Sequence, residues 1–173
     1  MRMPAACAAT LVALFLSTPA FCQPLAPPPA ETLTLSGPRF GATVLSNGVV
    51  DKIRAEEGVT LRPMITQFGW QFEKQFYSPK QGPAALSEWV VLLGGLEQGV
   101  ALPSISWLAG LRTNTGAEFA IGPNVTPAGV ALAIAAGTTF RWGVMNVPVN
   151  VAVVPSKVGT RVSLLTGFSL RSR

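Results

Sequence analysis

From Val158 to Leu170 the even positions Val158, Thr160, Val162, Leu164, Thr166, Phe168 and Leu170 are apolar or threonine. The odd positions, Gly159, Arg161, Ser163, Leu165, Gly167 and Ser169, are mostly small or polar. Successive side chains of a strand point to opposite faces, so this segment predicts a ribbon with one greasy and one small-to-polar face. The rhythm recurs upstream. Leu33 to Leu45 puts Phe40, Ala42 and Val44 on one side and Gly37, Arg39, Gly41 and Thr43 on the other; Pro38 restricts it to an edge or a bulge. Phe68, Trp70, Phe72 and Phe76 oppose Gln67, Gly69, Gln71, Glu73 and Gln75. Leu86 to Leu93 is apolar on both faces apart from Ser87 and Glu88, and Gly94-Gly95 can turn it back. Within Gly99 to Arg112, Ile105, Trp107, Ala109 and Leu111 oppose Ser104, Ser106, Gly110 and Arg112.

Thr113-Asn114-Thr115-Gly116 predicts a hairpin turn, followed by alternation from Glu118 to Gly122. Pro123 to Pro127 breaks that pattern. From Val130 to Trp142 large even residues (Leu132, Ile134, Phe140, Trp142) alternate with Ala131, Ala133, Ala135, Gly137 and Arg141. An alanine-rich run also suits a helix, but a size alternation that continues to Trp142 decides for a strand. Met145, Val147, Val149, Val151 and Val153 then oppose Asn146, Pro148 and Asn150. Between the first two ribbons Ser46-Asn47 can cap a short helix over about 48–57, with Val49, Val50 and Ile53 on its apolar side and Gly58 at its end. The expected fold is all-β: an antiparallel up-and-down barrel of about eight strands with one short helix between the first two.

The second face decides which kind of barrel. A soluble sheet presents Lys, Glu, Thr and Gln to water; here that face collects Gly37, Gly41, Gly69, Gly110, Ala131, Ala133, Ala135, Gly137, Gly159 and Gly167. Small residues suit the crowded lumen of a narrow barrel, with the bulky face outward toward lipid. Phe68, Trp70, Phe72, Trp107, Leu132, Ile134, Phe140, Trp142 and Phe168 are then the expected lipid-facing residues. Arg39, Glu73, Arg112, Glu118, Arg141 and Arg161 are expected inside, beside Gln67 and Gln71. Buried charges must pair, since an isolated one costs several kcal/mol, so a charge-paired plug rather than an open pore is expected. The plainer reading makes them ordinary exposed ion pairs. Aromatic girdles mark both membrane interfaces of such barrels; with Tyr77 the sole tyrosine, Phe and Trp would have to supply them.

The N-terminus extends the same picture. Met1-Arg2-Met3-Pro4, an apolar run from Ala5 to Leu16, and Ala20 and Cys22 at the small-residue positions describe a signal peptide over 1–22. The run falls short of the roughly 20 apolar residues that a spanning helix needs. Acylation of Cys22 is the rival, but Phe21 beside the cysteine and the lack of an upstream leucine give the site the wrong shape. A Pro/Ala-rich tether over 23–32 and a single domain over 33–173 follow. Both cysteines, Cys7 and Cys22, fall in the leader, which leaves no disulfide or thiolate chemistry after it. The chain carries 13 basic and 8 acidic side chains; loss of Arg2 leaves a mild +4 without runs of like charge, poor evidence for nucleic acid.

The chain has no histidine, which excludes Ser-His-Asp and Cys-His sets and His-based metal sites. Glu73 with Glu88 or Glu118 is the only carboxylate pair worth considering for acid–base work, and pairing with arginine is the simpler role. No phosphate loop or nucleophile elbow is present, and neither catalytic residues nor a cofactor nor a metal is expected.

With its leader and its closing strand Val162-Ser163-Leu164-Leu165-Thr166-Gly167-Phe168-Ser169-Leu170, the chain resembles small bacterial outer-membrane β-barrel proteins in architecture. The resemblance implies lipid and the outer-membrane assembly machinery as partners. It also implies a last strand with a glycine and a terminal aromatic; Gly167, Phe168 and Leu170 match in part, whereas Arg171-Ser172-Arg173 replaces the terminal aromatic. The expected function is a non-enzymatic outer-membrane barrel with a structural or surface-interaction role and a filled lumen. The alternative is a secreted or periplasmic lipocalin-like barrel whose greasy face lines a ligand cavity.

Overall fold

The computed structural model describes residues 35–79, 82–142 and 145–170. The expected leader and tether, with Leu33, Thr34 and Arg171 to Arg173, lie outside the described residues. Eight strands run in chain order: β1 (Gly37–Leu45), β2 (Met64–Tyr77), β3 (Ala84–Gly94), β4 (Leu102–Arg112), β5 (Ala117–Thr126), β6 (Gly129–Trp142), β7 (Met145–Ser156) and β8 (Gly159–Gly167). Each pairs antiparallel with its sequence neighbours, and β1 pairs with β8 (Val44 opposite Val162), so the sheet closes into an up-and-down barrel. The ribbon expected to run unbroken to Leu170 ends at Gly167; a two-residue strand, β9 (Ser169–Leu170), then pairs with Asn146 and Met145 of β7. Closure answers the edge problem, because every long strand has a partner on both sides.

Two local readings differ from expectation. Pro123 does not end β5; the strand continues to Thr126. Proline has no N–H to donate, and the β4–β5 pairing is interrupted at that point, between Ser106 opposite Asn124 and Ala109 opposite Ile121, and resumes in the same register. Toward β6 the pairing continues through Pro123 opposite Leu132. Ser46 occupies the helix N-cap, but its hydroxyl makes no capping bond; its Oγ accepts the backbone N–H of Thr160 (3.0 Å), which ties the helix start to β8. Between β3 and β4, Gly94-Gly95 ends the strand as expected, and a 3-10 turn spans Leu96–Gln98. The Glu97 carboxylate there accepts the backbone N–H (2.8 Å) and hydroxyl (2.6 Å) of Thr66 on β2.

The glycines of the small face have a local cause as well as the crowded lumen. A Cβ on Gly41 or Gly69 would collide with the carbonyl oxygen of Leu164 or Val91 on the adjoining strand. The backbones there approach too closely for any larger residue.

The helix α1 (Asn47–Glu57) lies between β1 and β2 and ends at Gly58 in the left-handed conformation, whose N–H bonds Arg54 O (3.0 Å). Its buried side, Val49, Val50 and Ile53, packs with Leu45, Leu61, Ile65 and Leu102 across one mouth of the barrel. Burying each such side chain contributes about 1.5–3 kcal/mol. The opposite rim carries the start of β1 and the end of β8.

Candidate functional site

Strand parity sorts the side chains. All twelve aromatic side chains of the described residues, seven Phe, four Trp and Tyr77, are exposed on the outer wall. The residues expected to face lipid (Phe68, Trp70, Phe72, Trp107, Leu132, Ile134, Phe140, Trp142 and Phe168) are all among the exposed ones. Leu132 and Ile134, 49% and 37% exposed, point away from the lumen, opposite to what a lipocalin-like cavity requires. The aromatics are unevenly spread. The two outward positions nearest the α1 rim are aliphatic, Thr, Pro or Met on every strand, from Ala42 and Val44 on β1 to Thr160 and Val162 on β8. Phe76, Tyr77, Phe119, Phe140, Trp142 and Phe168 gather toward the other rim, so the wall has one aromatic girdle, not two.

Inside, four of the six expected lumen charges sit in one buried layer. Arg112 on β4 grips Glu73 on β2 with both terminal nitrogens, Nη1 at 2.6 Å and Nη2 at 2.5 Å. Its Nε and Nη2 also donate to Glu118 Oε2 on β5, at 2.8 and 2.6 Å. Arg39 on β1 donates through Nε to Gln71 Oε1 (2.9 Å), and Gln71 Nε2 donates to Glu88 Oε2 (3.0 Å) on β3. The layer thus ties together β1 to β5 and is charge-assisted throughout. The other two charges are not part of it. Arg141 has lumen-facing parity but lies next to last on β6, beyond the pairing with β5, which ends at Thr138, and opposite only Asn146 of β7; it is exposed and forms no ion pair among the described residues. Arg161 is buried but crosses the lumen to neutral partners on β5: Nη1 donates to Thr126 Oγ1 and Nη2 to Asn124 Oδ1 (3.0 Å).

The sequence left Glu88 outside the charge layer, because its ribbon is apolar on both faces and hides the parity; Gln71 carried no signal beyond facing inward, and Asn124 and Thr126 were hidden by the two prolines that flank them and read as a break in the strand. Between the charge layer and α1 lies an apolar belt of Val90, Leu92, Leu108, Ala120, Ala133 and Val154. It surrounds a cavity of about 90 Å³ that reaches Ile53 of α1 at one end and Gln71 and Glu88 at the other.

The chemical capacity of the charge layer follows from who holds whom. The carboxylates of Glu73, Glu88 and Glu118 approach within 4.8 Å of one another, close enough to hold a cation. Arg112 already occupies both Glu73 oxygens and Glu118 Oε2, so the cation there is the guanidinium itself. The same engagement ties up the Glu73 and Glu118 carboxylates that acid–base work would need.

A closed eight-stranded antiparallel barrel with an apolar wall and a polar lumen resembles the small bacterial outer-membrane barrels. Among solved structures it is similar to the crystal structure of Ail, the attachment invasion locus protein of Yersinia pestis, with a TM-score of 0.54 and 13% identity over 83% of this chain and 100% of that one. The likeness is one of fold. No protein-family model matches the chain, and no curated protein matches it.

Proposed function

We propose that the chain is an outer-membrane β-barrel with a structural or surface-interaction role, without catalysis, and with a lumen filled at both ends. The observation that carries this reading is the outward placement of all twelve described aromatic side chains while Arg39, Gln71, Glu73 and Glu88 are buried inside. A soluble barrel gains its stability by the reverse arrangement, and an apolar wall this extensive favours lipid as its surroundings. The Arg112 layer stops one end and α1 the other, and both support the filled lumen. The absence of histidine and the engagement of Glu73 and Glu118 by Arg112 favour a non-enzymatic role. Export by the leader and insertion by the assembly machinery, reading Gly167 and Phe168 in place of a terminal aromatic, complete the proposal.

The rim that bears α1 lies opposite the start of β1 and the end of β8, and its exposed Asp51, Arg54, Glu56 and Glu57 make it the natural surface for a binding partner. Fractionation tests the reading. After expression with its leader, the protein is expected in the outer-membrane pellet and resistant to a urea wash; recovery as a soluble periplasmic or secreted species without detergent contradicts it.

A further inference from the structure

We infer that the lumen cavity is a binding site for a small amphiphilic anion, a short-chain carboxylate, whose headgroup is held by Arg161. Arg161 differs from the other buried arginines. Arg112 has two carboxylates, and Arg39 sits in the carboxylate layer through Gln71. Arg161 is 8% exposed, lines the cavity, and forms no ion pair among the described residues. Of its five N–H groups two are used, on Thr126 and Asn124, and Nε has no acceptor.

A guanidinium taken out of water without a counter-ion is costly, and an anion from outside the chain is what would offset that cost. The two bonds it does make fix its orientation. Asn124 is itself held by both side-chain protons, donated to Ser104 and Ser106 at 2.9 Å each, so its carbonyl is aimed at Arg161 and the strut across the lumen is rigid. The guanidinium is therefore held in place at the cavity with Nε–H unused, and a guanidinium so fixed is suited to bind a carboxylate.

The rest of the cavity defines the body of the ligand. Ala133, Ala135, Val154 and Leu165 form its wall near β8, small and apolar. A cavity of 150 Å³ admits benzene, so one of about 90 Å³ suits a carboxylate of roughly two to four carbons. The alanines of β6 thus do more than relieve crowding: they leave the room that the tail occupies.

The probe is propionate, titrated in chloride-free buffer against the full chain folded in an uncharged detergent and followed by ligand-observed NMR. Saturable binding is expected, weakened about tenfold or more in Arg161→Gln, which loses the charge-assisted bonds. Ala135→Leu, which fills the tail space and leaves Arg161 untouched, is expected to abolish propionate binding and retain chloride binding. It serves as the independent variant should Arg161→Gln not fold. Absence of saturable propionate binding, binding of chloride alone by the unsubstituted chain, or equal affinity in the Ala135→Leu chain overturns the proposal.

Discussion

The Arg112 guanidinium is where the burial of charge is most sharply balanced. Glu73 is fully buried and Glu118 nearly so, and one cation serves both. Replacing it by methionine leaves two buried carboxylates without their cation, and breaking such a pair costs about 3–5 kcal/mol. Arg112→Met is therefore expected to lower stability by that amount in urea unfolding of the micelle-folded protein. Glu97 offers a second test, outside the strands. Its bonds from the Thr66 hydroxyl and then the Thr66 backbone N–H hold its carboxyl down at about 2, below the ordinary 4.5. A depressed carboxyl stabilises the fold above its unfolded value and loses that contribution as the pH falls through the folded one. The tie between the 3-10 turn and β2 is expected to persist down through pH 4.5 and to be lost near 2, read from the Thr66 amide shift; a midpoint near 4.5 contradicts it. Which residues face the lumen was legible, since parity alone places Arg39, Glu73, Arg112, Glu118 and Arg161. Who pairs with whom was not: Arg112 and Glu73 are 39 residues apart and meet only because β3 lies between their strands.

The strands announce themselves through period two, and α1 through its cap and its apolar stripe, because both patterns are local. What α1 covers is not local. Val49, Val50 and Ile53 say that one side is buried, but Leu102, nearly fifty residues on, completes the cluster beneath it. Ile53→Asp places a charge in that cluster and is expected to release α1 while the barrel holds. Trypsin cleavage after Lys52 or Arg54 would then accelerate at least tenfold, in line with a loss of about 2–5 kcal/mol at a buried aliphatic site. Unchanged cleavage would mean that α1 is not held by this face. Pro123 shows the opposite failure. Its local signal is that of a breaker, yet the barrel accommodates it where the β4–β5 pairing is interrupted and its missing N–H is not needed.

The barrel inverts a soluble protein: its described aromatics are outside, while Arg39, Glu73, Glu88 and Arg161 are buried inside. That inversion was legible from the composition of the small face, where glycine and alanine stand in for the lysines and glutamates that water would select. The single aromatic girdle was not, because it depends on how far along each tilted strand a residue sits rather than on its parity. Trp70 and Ile134 lie near the middle of β2 and β6, and arginine at a bilayer midplane costs about 2–4 kcal/mol. Trp70→Arg or Ile134→Arg is expected to reduce membrane insertion by about tenfold or more, whereas the same change on a surface facing water would be tolerated. The four tryptophans, Trp70, Trp89, Trp107 and Trp142, provide the most direct probe, since all are exposed on the outer wall. The chain folded into vesicles of lipids brominated on their acyl chains should show strong quenching of tryptophan fluorescence relative to unbrominated lipid. Equal fluorescence in the two lipids, with the folded protein left in the aqueous supernatant, would contradict a lipid-facing wall.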